Sequence, residues 1–262
     1  MKVRVVPTEF ASCGETIHGD FVLPEKGGPF PGICKFHGLP GSSDQIRGIA
    51  SALAQAGFAV LTFDFRGFRR SEGSFSLAGE IADANAAISH VQDSGFFWTN
   101  WLGAYGASFG GAVTICCAAT NADVDAVCVR APVYDTESFS RNPMIMEGVK
   151  EYILDVPGEM RGCATADDVV DVFRRMREDA RSYNPMRLIS RVSPRPILLT
   201  TGDADELIDV EGVKKLYEAA GEPKEFHVVS GADHILSRMT AQVETTEAVV
   251  NWFRRQIPEG EG

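Results

Sequence analysis

Apolar and polar positions divide the chain into short β-branched runs and longer stretches with helical spacing. Residues 3–6 and 16–23 read as two opening strands, and the Pro- and Gly-rich segment 24–31 reads as a turn after them. Further apolar runs of strand length lie at 32–37, 58–65, 101–105, 125–133, 196–201 and 224–229. Between them, 43–56, 78–92, 109–120, 210–220 and 241–256 carry helical patterns. Such alternation predicts an α/β fold: a mostly parallel sheet of eight strands, the first two antiparallel, with helices on both faces.

The alternation stops from 134 to 193, where no good strand occurs. In its second helical stretch Val169, Val170, Phe173 and Met176 lie near i, i+3, i+4, i+7 spacing, with Arg174, Arg175, Arg177 and Glu178 between them. About 60 residues without a strand favours a small helical cap between the sixth and seventh strands over a simple long crossover. It is a subdomain of a single domain covering 1–262. Neither an internal repeat nor a low-complexity segment is visible, and only 258–262 looks like a frayed tail.

Composition narrows the function classes. Hydrophobic residues make up 44% of the 262 and charged ones 23%, which excludes disorder for most of the chain. With 25 basic against 36 acidic residues the formal charge is −11, so nucleic acid and anionic membrane surfaces are not expected partners. A local basic pocket remains compatible with that charge. No apolar run approaches the roughly 18 residues of a membrane span, and residues 1–10 show no secretory signal. The six cysteines, Cys13, Cys34, Cys116, Cys117, Cys128 and Cys163, form no C-x-x-C pair or metal-ligand spacing. Reduced thiols, mostly buried, in a cytoplasmic protein are expected, with no metal and no cofactor. Oligomeric state, a homo-oligomer included, stays open.

Three segments carry candidate chemistry. Gly106-Ala107-Ser108-Phe109-Gly110 is a G-x-S-x-G pattern that an apolar strand enters and a helix leaves. So sharp a reversal crowds the backbone, and glycines at the flanks let strand and helix approach. Ser108 is then an exposed nucleophile that needs a base. Of five histidines, His18 and His227 lie in predicted strands, His90 in a helix and His37 at a strand end; His234 lies in the loop after the last strand. His234 is therefore the candidate base. For the orienting acid, G-x-x-D-x-x-I spacing singles out Asp205, with Asp203 and Asp209 as runners-up and Asp135 more distant. After the third strand, His37-Gly38-Leu39-Pro40-Gly41 is a glycine-flanked loop that can aim a backbone N–H at a developing oxyanion. The main-chain N–H groups of Leu39 and Phe109 are the expected donors.

Together these segments resemble the α/β-hydrolase superfamily over nearly the whole chain: 106–110 its nucleophile elbow, 202–208 its acid loop, 232–234 its histidine loop and 37–41 its oxyanion loop. Residues 63–73 are similar to its D-x-R-G-x-G-x-S-x-G loop, except that Arg69 replaces the second glycine. The single H-G and the small cap resemble cinnamoyl and feruloyl esterases and monoacylglycerol lipases, while some serine peptidases share similar loops. The resemblance implies a serine carboxylesterase for small to medium or aromatic acyl esters, acting through Ser108, Asp205 and His234. A peptidase, amidase or thioesterase, or a ligand-binding protein without turnover, is the alternative. His37 and Gly38 are expected to touch substrate. Met144 and Tyr152 are expected to line an apolar pocket from the cap, unless Met144, Ile145, Met146, Tyr152, Ile153 and Leu154 form the cap's own core. An apolar pocket in a negatively charged protein suits neutral esters.

Overall fold

The computed structural model describes residues 2–41 and 47–258. In chain order its elements are β1 (Val3–Ser12), β2 (Glu15–Pro24), β3 (Phe30–Phe36), α1 (Ile49–Gln55), β4 (Ala59–Phe63), α2 (Leu77–Asp93), β5 (Phe97–Ala107) and α3 (Phe109–Ala118). There follow β6 (Ala126–Arg130), α4 (Thr136–Arg141), α5 (Pro143–Asp155), α6 (Ala166–Asp179), α7 (Pro185–Leu188), a 3₁₀ turn (Ile189–Val192), β7 (Ile197–Gly202), α8 (Val210–Ala219), β8 (Lys224–Val229) and α9 (Met239–Gln256).

The eight strands form one sheet in the order β1-β2-β4-β3-β5-β6-β7-β8. β1 pairs antiparallel with β2, and β2 antiparallel with β4; every other pairing is parallel. This is the architecture expected from the alternation. Some boundaries move. β1 runs on to Ser12 because it pairs with β2 along its whole length. β5 begins at Phe97, which pairs with Phe30, four residues before the apolar run. Of the helix expected over 43–56, residues 42–46 lie outside the described ones, and within 47–56 the helix is Ile49–Gln55.

Side chains alternate across the sheet, as a strand's period of two demands. On one face Val22, Ile33, Val60, Trp101, Ala126, Cys128 and Leu198 meet Leu53 of α1 and Val249, Trp252 and Phe253 of α9. On the other, Cys34, Phe36, Leu61, Val127 and Leu199 meet α2, α3 and α8. Five of the six cysteines are buried in this framework, and only Cys13 is exposed. Arg195 gathers the carbonyls of Ala118, Asn121 and Val124 at 2.6, 2.7 and 3.0 Å, which fixes the C-terminal end of α3.

The interval 134–193 is helical throughout its regular elements, α4 to the 3₁₀ turn. Its α6 buries Val169, Val172, Phe173 and Met176, while Val170 is exposed. The i, i+3, i+4, i+7 stripe starting at Val169 falls on Val172 rather than Val170, so Val170 points outward. The insertion packs on the α2–α3 face, with Phe139 against Phe109 at 5.6 Å between ring centroids. It is also bonded to the loop between β4 and α2. Arg69 N–H donates to Glu159 O at 3.1 Å, Arg161 N–H donates to Gly67 O at 2.6 Å, and Phe68 bridges Met160.

Candidate active site

β5 ends by running into Ser108, and α3 starts immediately after it. Ser108 has φ 55° and ψ −124°, a conformation that costs a non-glycine residue roughly 1–3 kcal/mol. Its surroundings over-determine it. Ser108 N–H donates to Arg130 O at 2.9 Å, and Ser108 O accepts from Gly111 N–H and Val133 N–H, each at 3.0 Å. A Cβ on Gly106 would overlap Thr114 Oγ1 and Gly110 O; one on Gly110 would overlap the carbonyls of Phe36 and His37. Two missing methyl groups thus allow β3, β5 and α3 to meet at the serine.

The structure brings Ser108, His234 and Asp205 into one hydrogen-bonded line. His234 Nε2 lies 3.1 Å from Ser108 Oγ, and His234 Nδ1 lies 2.8 Å from Asp205 Oδ2. The network assigns the Nδ1–H tautomer, with the serine hydroxyl donating to Nε2. Asp205 Oδ1 accepts the N–H groups of Leu207 and Ile208, both at 2.9 Å. Burial alone would raise the Asp205 carboxyl, but the hydrogen bonds from His234, Ile208 and Leu207 outweigh it and hold it below the usual carboxylate range. The competing acids are engaged elsewhere. Asp203 accepts from Ser230 and Gly231, Asp209 caps α8 and takes the Tyr134 hydroxyl, and Asp135 caps α4 and holds Asn184. Of the other histidines, His90 bonds Thr8, while His18 and His227 sit beside Glu9 and Glu244.

The loop after β3 lies against the serine: a Cβ on Gly38 would sit 3.2 Å from Ser108 Cβ and 3.7 Å from its Oγ. Phe109 is the first residue of α3, so its N–H has no helical acceptor. Among the described residues neither Phe109 N–H nor Leu39 N–H donates a hydrogen bond. His37 departs from expectation. It borders the cavity, yet its Nδ1–H donates to Gly38 O at 2.7 Å and its Nε2 accepts Phe65 N–H at 3.0 Å. Packed edge-on to Phe65 and Phe68, the ring is buried, and burial pushes its pKa down to about 3. Both nitrogens are engaged, so His37 shapes the loop as a neutral ring on the border of the cavity.

Arg69 holds the same loop from outside. Its guanidinium donates to Pro40 O at 3.2 Å and Asp64 Oδ1 at 3.2 Å, and its Nε lies 2.9 Å from Glu159 Oε2. A glycine there, as the resembling motif has, would leave this three-way junction of the loop after β3, the β4–α2 loop and the insertion without its centre.

A cavity of about 620 Å³ opens beside Ser108 and His234. Its walls include Lys35, Tyr105, Arg130, Leu236 and Thr245, and among the described residues none from 134 to 193. Met144 is 75% exposed and Tyr152, half-buried, stands beside Glu159 and Arg69, so neither lines it. The reason is the docking of the insertion on the α2–α3 face, whereas the cavity lies toward α1 and α9. Ile145, Met146 and Ile153 pack into the core, and Met144 and Leu154 remain exposed. Sequence reasoning passed over Arg130, whose guanidinium donates to His234 O at 2.8 Å and so pins the histidine loop. The signal was its place: the last position of a strand whose Ala126 and Cys128 point to the same face. Among the described residues no cluster of three or more His, Cys, Asp or Glu could hold a metal, and no helix is long and apolar enough to cross a membrane.

Comparison with known proteins bears on the family and the fold. The profile of the prolyl oligopeptidase family matches residues 45–259. The uncharacterized protein YfhR of Escherichia coli K12 is 29% identical over 230 residues, covering 86% of this chain and 71% of that one. Among solved structures, a hypothetical protein of Pseudomonas aeruginosa (PA2218) is 22% identical with a TM-score of 0.74, covering 98% of this chain and 94% of that one. Est1E of Butyrivibrio proteoclasticus, solved with ferulic acid bound, is 18% identical with a TM-score of 0.74, covering 95% and 98%. The sheet and its helices therefore form an α/β-hydrolase fold.

Two outcomes follow from the loop contacts. His37 stays neutral when folded but takes a proton near its ordinary 6.5 when unfolded, so the unfolded chain binds more protons between about 6.5 and 3. Stability should fall as pH drops through that window, and His37→Asn should lack this part of the slope in denaturant titrations between pH 7 and 4. Equal slopes would contradict it. Arg69→Met should lower kcat roughly tenfold with little change in KM, because the loop shifts while the cavity remains.

Proposed function

We propose that this chain, which belongs to the prolyl oligopeptidase family, is a serine carboxylesterase for small to medium or aromatic acyl esters. One observation carries the reading: a histidine bonded to both a strained serine and a buried carboxylate, beside two backbone N–H groups that donate to no described acceptor.

In the proposed reaction Ser108 Oγ attacks the ester carbonyl as its proton passes to His234 Nε2. Asp205 holds the ring in the Nδ1–H tautomer and stabilises the imidazolium. The N–H groups of Leu39 and Phe109 take the oxygen as it becomes negative, each contributing about 2.7–4 kcal/mol to the transition state. The C–O bond breaks, and His234 returns the proton to the leaving alcohol. Water, deprotonated by the same ring, then releases the acid and restores the serine. A second cleft, about 320 Å³ and bordered by Leu207, Asp233, His234 and Ile235, offers the alcohol a way out on the far side of the histidine.

The family match supports a second reading, a peptidase or amidase using the same groups. A single panel separates them: p-nitrophenyl acetate, butyrate, octanoate and laurate, methyl ferulate, an acyl thioester and an aminoacyl anilide. Ester turnover should dominate, with a short or aromatic acyl preference, and Ser108→Ala should lose at least roughly 10⁴-fold of it. Faster cleavage of the anilide or thioester would move the assignment to that class. Turnover of none, together with no labelling of Ser108 by a fluorophosphonate, would make the protein a binder.

A further inference from the structure

A parallel strand inside a sheet is covered on both faces, and its residues are ordinarily apolar. β6 obeys this through Ala126, Val127, Cys128 and Val129, all buried, and then ends on the half-buried Arg130. By strand alternation Arg130 points to the α1–α9 face, like Ala126 and Cys128. Its backbone is held from both sides, paired with Ala107 of β5 and Thr200 of β7. Directly after it the chain turns away, with Ala131 at φ 42° and its N–H donating to Thr200 O at 2.7 Å.

From this fixed position Arg130 reaches the backbone of both Ser108 and His234. Its carbonyl accepts Ser108 N–H at 2.9 Å, and its guanidinium donates to His234 O at 2.8 Å. One residue thus stands at both ends of the 3.1 Å bond between Ser108 Oγ and His234 Nε2. The serine end has further support, because Gly111 and Val133 N–H groups bond Ser108 O. The histidine end has less. His234 lies in the loop 230–238 between β8 and α9, whose other ties flank it: Ser230 and Ala232 to Asp203 and Ala204, and Leu236 O to Gln242. Among the described residues Arg130 is the one group bonded to the main chain of His234. Behind the guanidinium stands Tyr105, 4% exposed and a hydrogen-bond partner of Arg130; burial pushes its phenol up to about 12, so it stays neutral.

We propose that Arg130 is a positioning residue for the reaction, setting the distance over which the proton passes from Ser108 to His234. Its carbonyl places the serine turn and its guanidinium places the histidine loop, so the central strand β6 fixes both partners through one amino acid. The role rests on Ser108 and His234 being the nucleophile and the base. A displacement of about 1 Å from the productive geometry costs on the order of 10²-fold in rate, and His234 O without its donor leaves the loop free to make one. Lysine can donate to the same carbonyl, but as a single point charge without the planar fork, so it restores the hold in part. Arg130 also borders the cavity, and the split between kcat and KM separates holding His234 from holding substrate.

The test measures kcat and KM for p-nitrophenyl butyrate, and the rate at which a fluorophosphonate labels Ser108, in the full chain, Arg130→Met, Arg130→Lys and Tyr105→Phe. In Arg130→Met both kcat and the labelling rate should fall about thirtyfold while KM stays within about twofold. Arg130→Lys should recover about tenfold of that loss, and Tyr105→Phe should lose about threefold in the same pattern. Unchanged kcat and labelling in Arg130→Met would overturn the role, and so would a raised KM with kcat unchanged, which would make Arg130 a substrate contact. A loss in Arg130→Lys equal to that in Arg130→Met would overturn it as well. If Arg130→Met fails to fold, Tyr105→Phe decides by the same split. Should the full chain turn over no ester and take no label, the esterase reading falls by itself, and the downfield proton resonance of His234 Nδ1–H decides the positioning role. That resonance should be shifted or lost in Arg130→Met and kept in Arg130→Lys; an unchanged resonance in Arg130→Met would overturn the role.

Discussion

At Ser108 three pieces of backbone converge on a volume that has room for no Cβ at Gly106 or Gly110. Because α3 can press against the carbonyls of Phe36 and His37, the loop after β3 is carried to the serine, and Gly38 completes the contact. The positive φ of Ser108 is the geometric remainder of that crowding, held by Arg130 O below and by Val133 N–H and Gly111 N–H above. Asp205 and His234 reach the serine only because β7 and β8 continue the same parallel register. A methyl group at either glycine would push apart everything assembled here, whatever the chemistry of the three side chains.

Around this point the two faces divide the work. The α2–α3 face receives the insertion, whose bonds to Gly67, Arg69 and Met160 tie it to the loop below. The α1–α9 face keeps its apolar packing deep in the sheet and gives up its edge to polar side chains. His37 and Arg69 serve neither surface directly. They fix the short loop between the faces, one as a buried neutral ring bonded to Phe65, the other as a cation shared by Pro40, Asp64 and Glu159.

Much of this was legible before any coordinates. Strand and helix periodicity located all eight strands, and local crowding logic located the serine turn. Asp205 stood out by spacing among four acids, but its choice over Asp203, Asp209 and Asp135 is a matter of which carboxylate a helix cap or loop consumes, which is tertiary information. The structural part that His37 plays in its loop was not legible, because its partner, Phe65 N–H, lies 28 residues away. Met144 and Tyr152 misled because periodicity reports that a helix has an apolar stripe, not which surface it meets. Arg130 and Lys35 were hidden by their apolar neighbours: Arg130 ends a run that reads as core and Lys35 sits inside one, between Cys34 and Phe36.

The stitching of the insertion has a consequence for traffic. An element joined to its support by main-chain bonds on either side of Met160 has no hinge there, and any outward swing would drag the Pro40 carbonyl with it through Arg69. On the other rim Ile235 stands 78% exposed, and it and His234 border both clefts. In the proposed reaction the loop that supplies the base would thus also be the doorpost, so that admission, proton transfer and departure would all turn on one short stretch of chain.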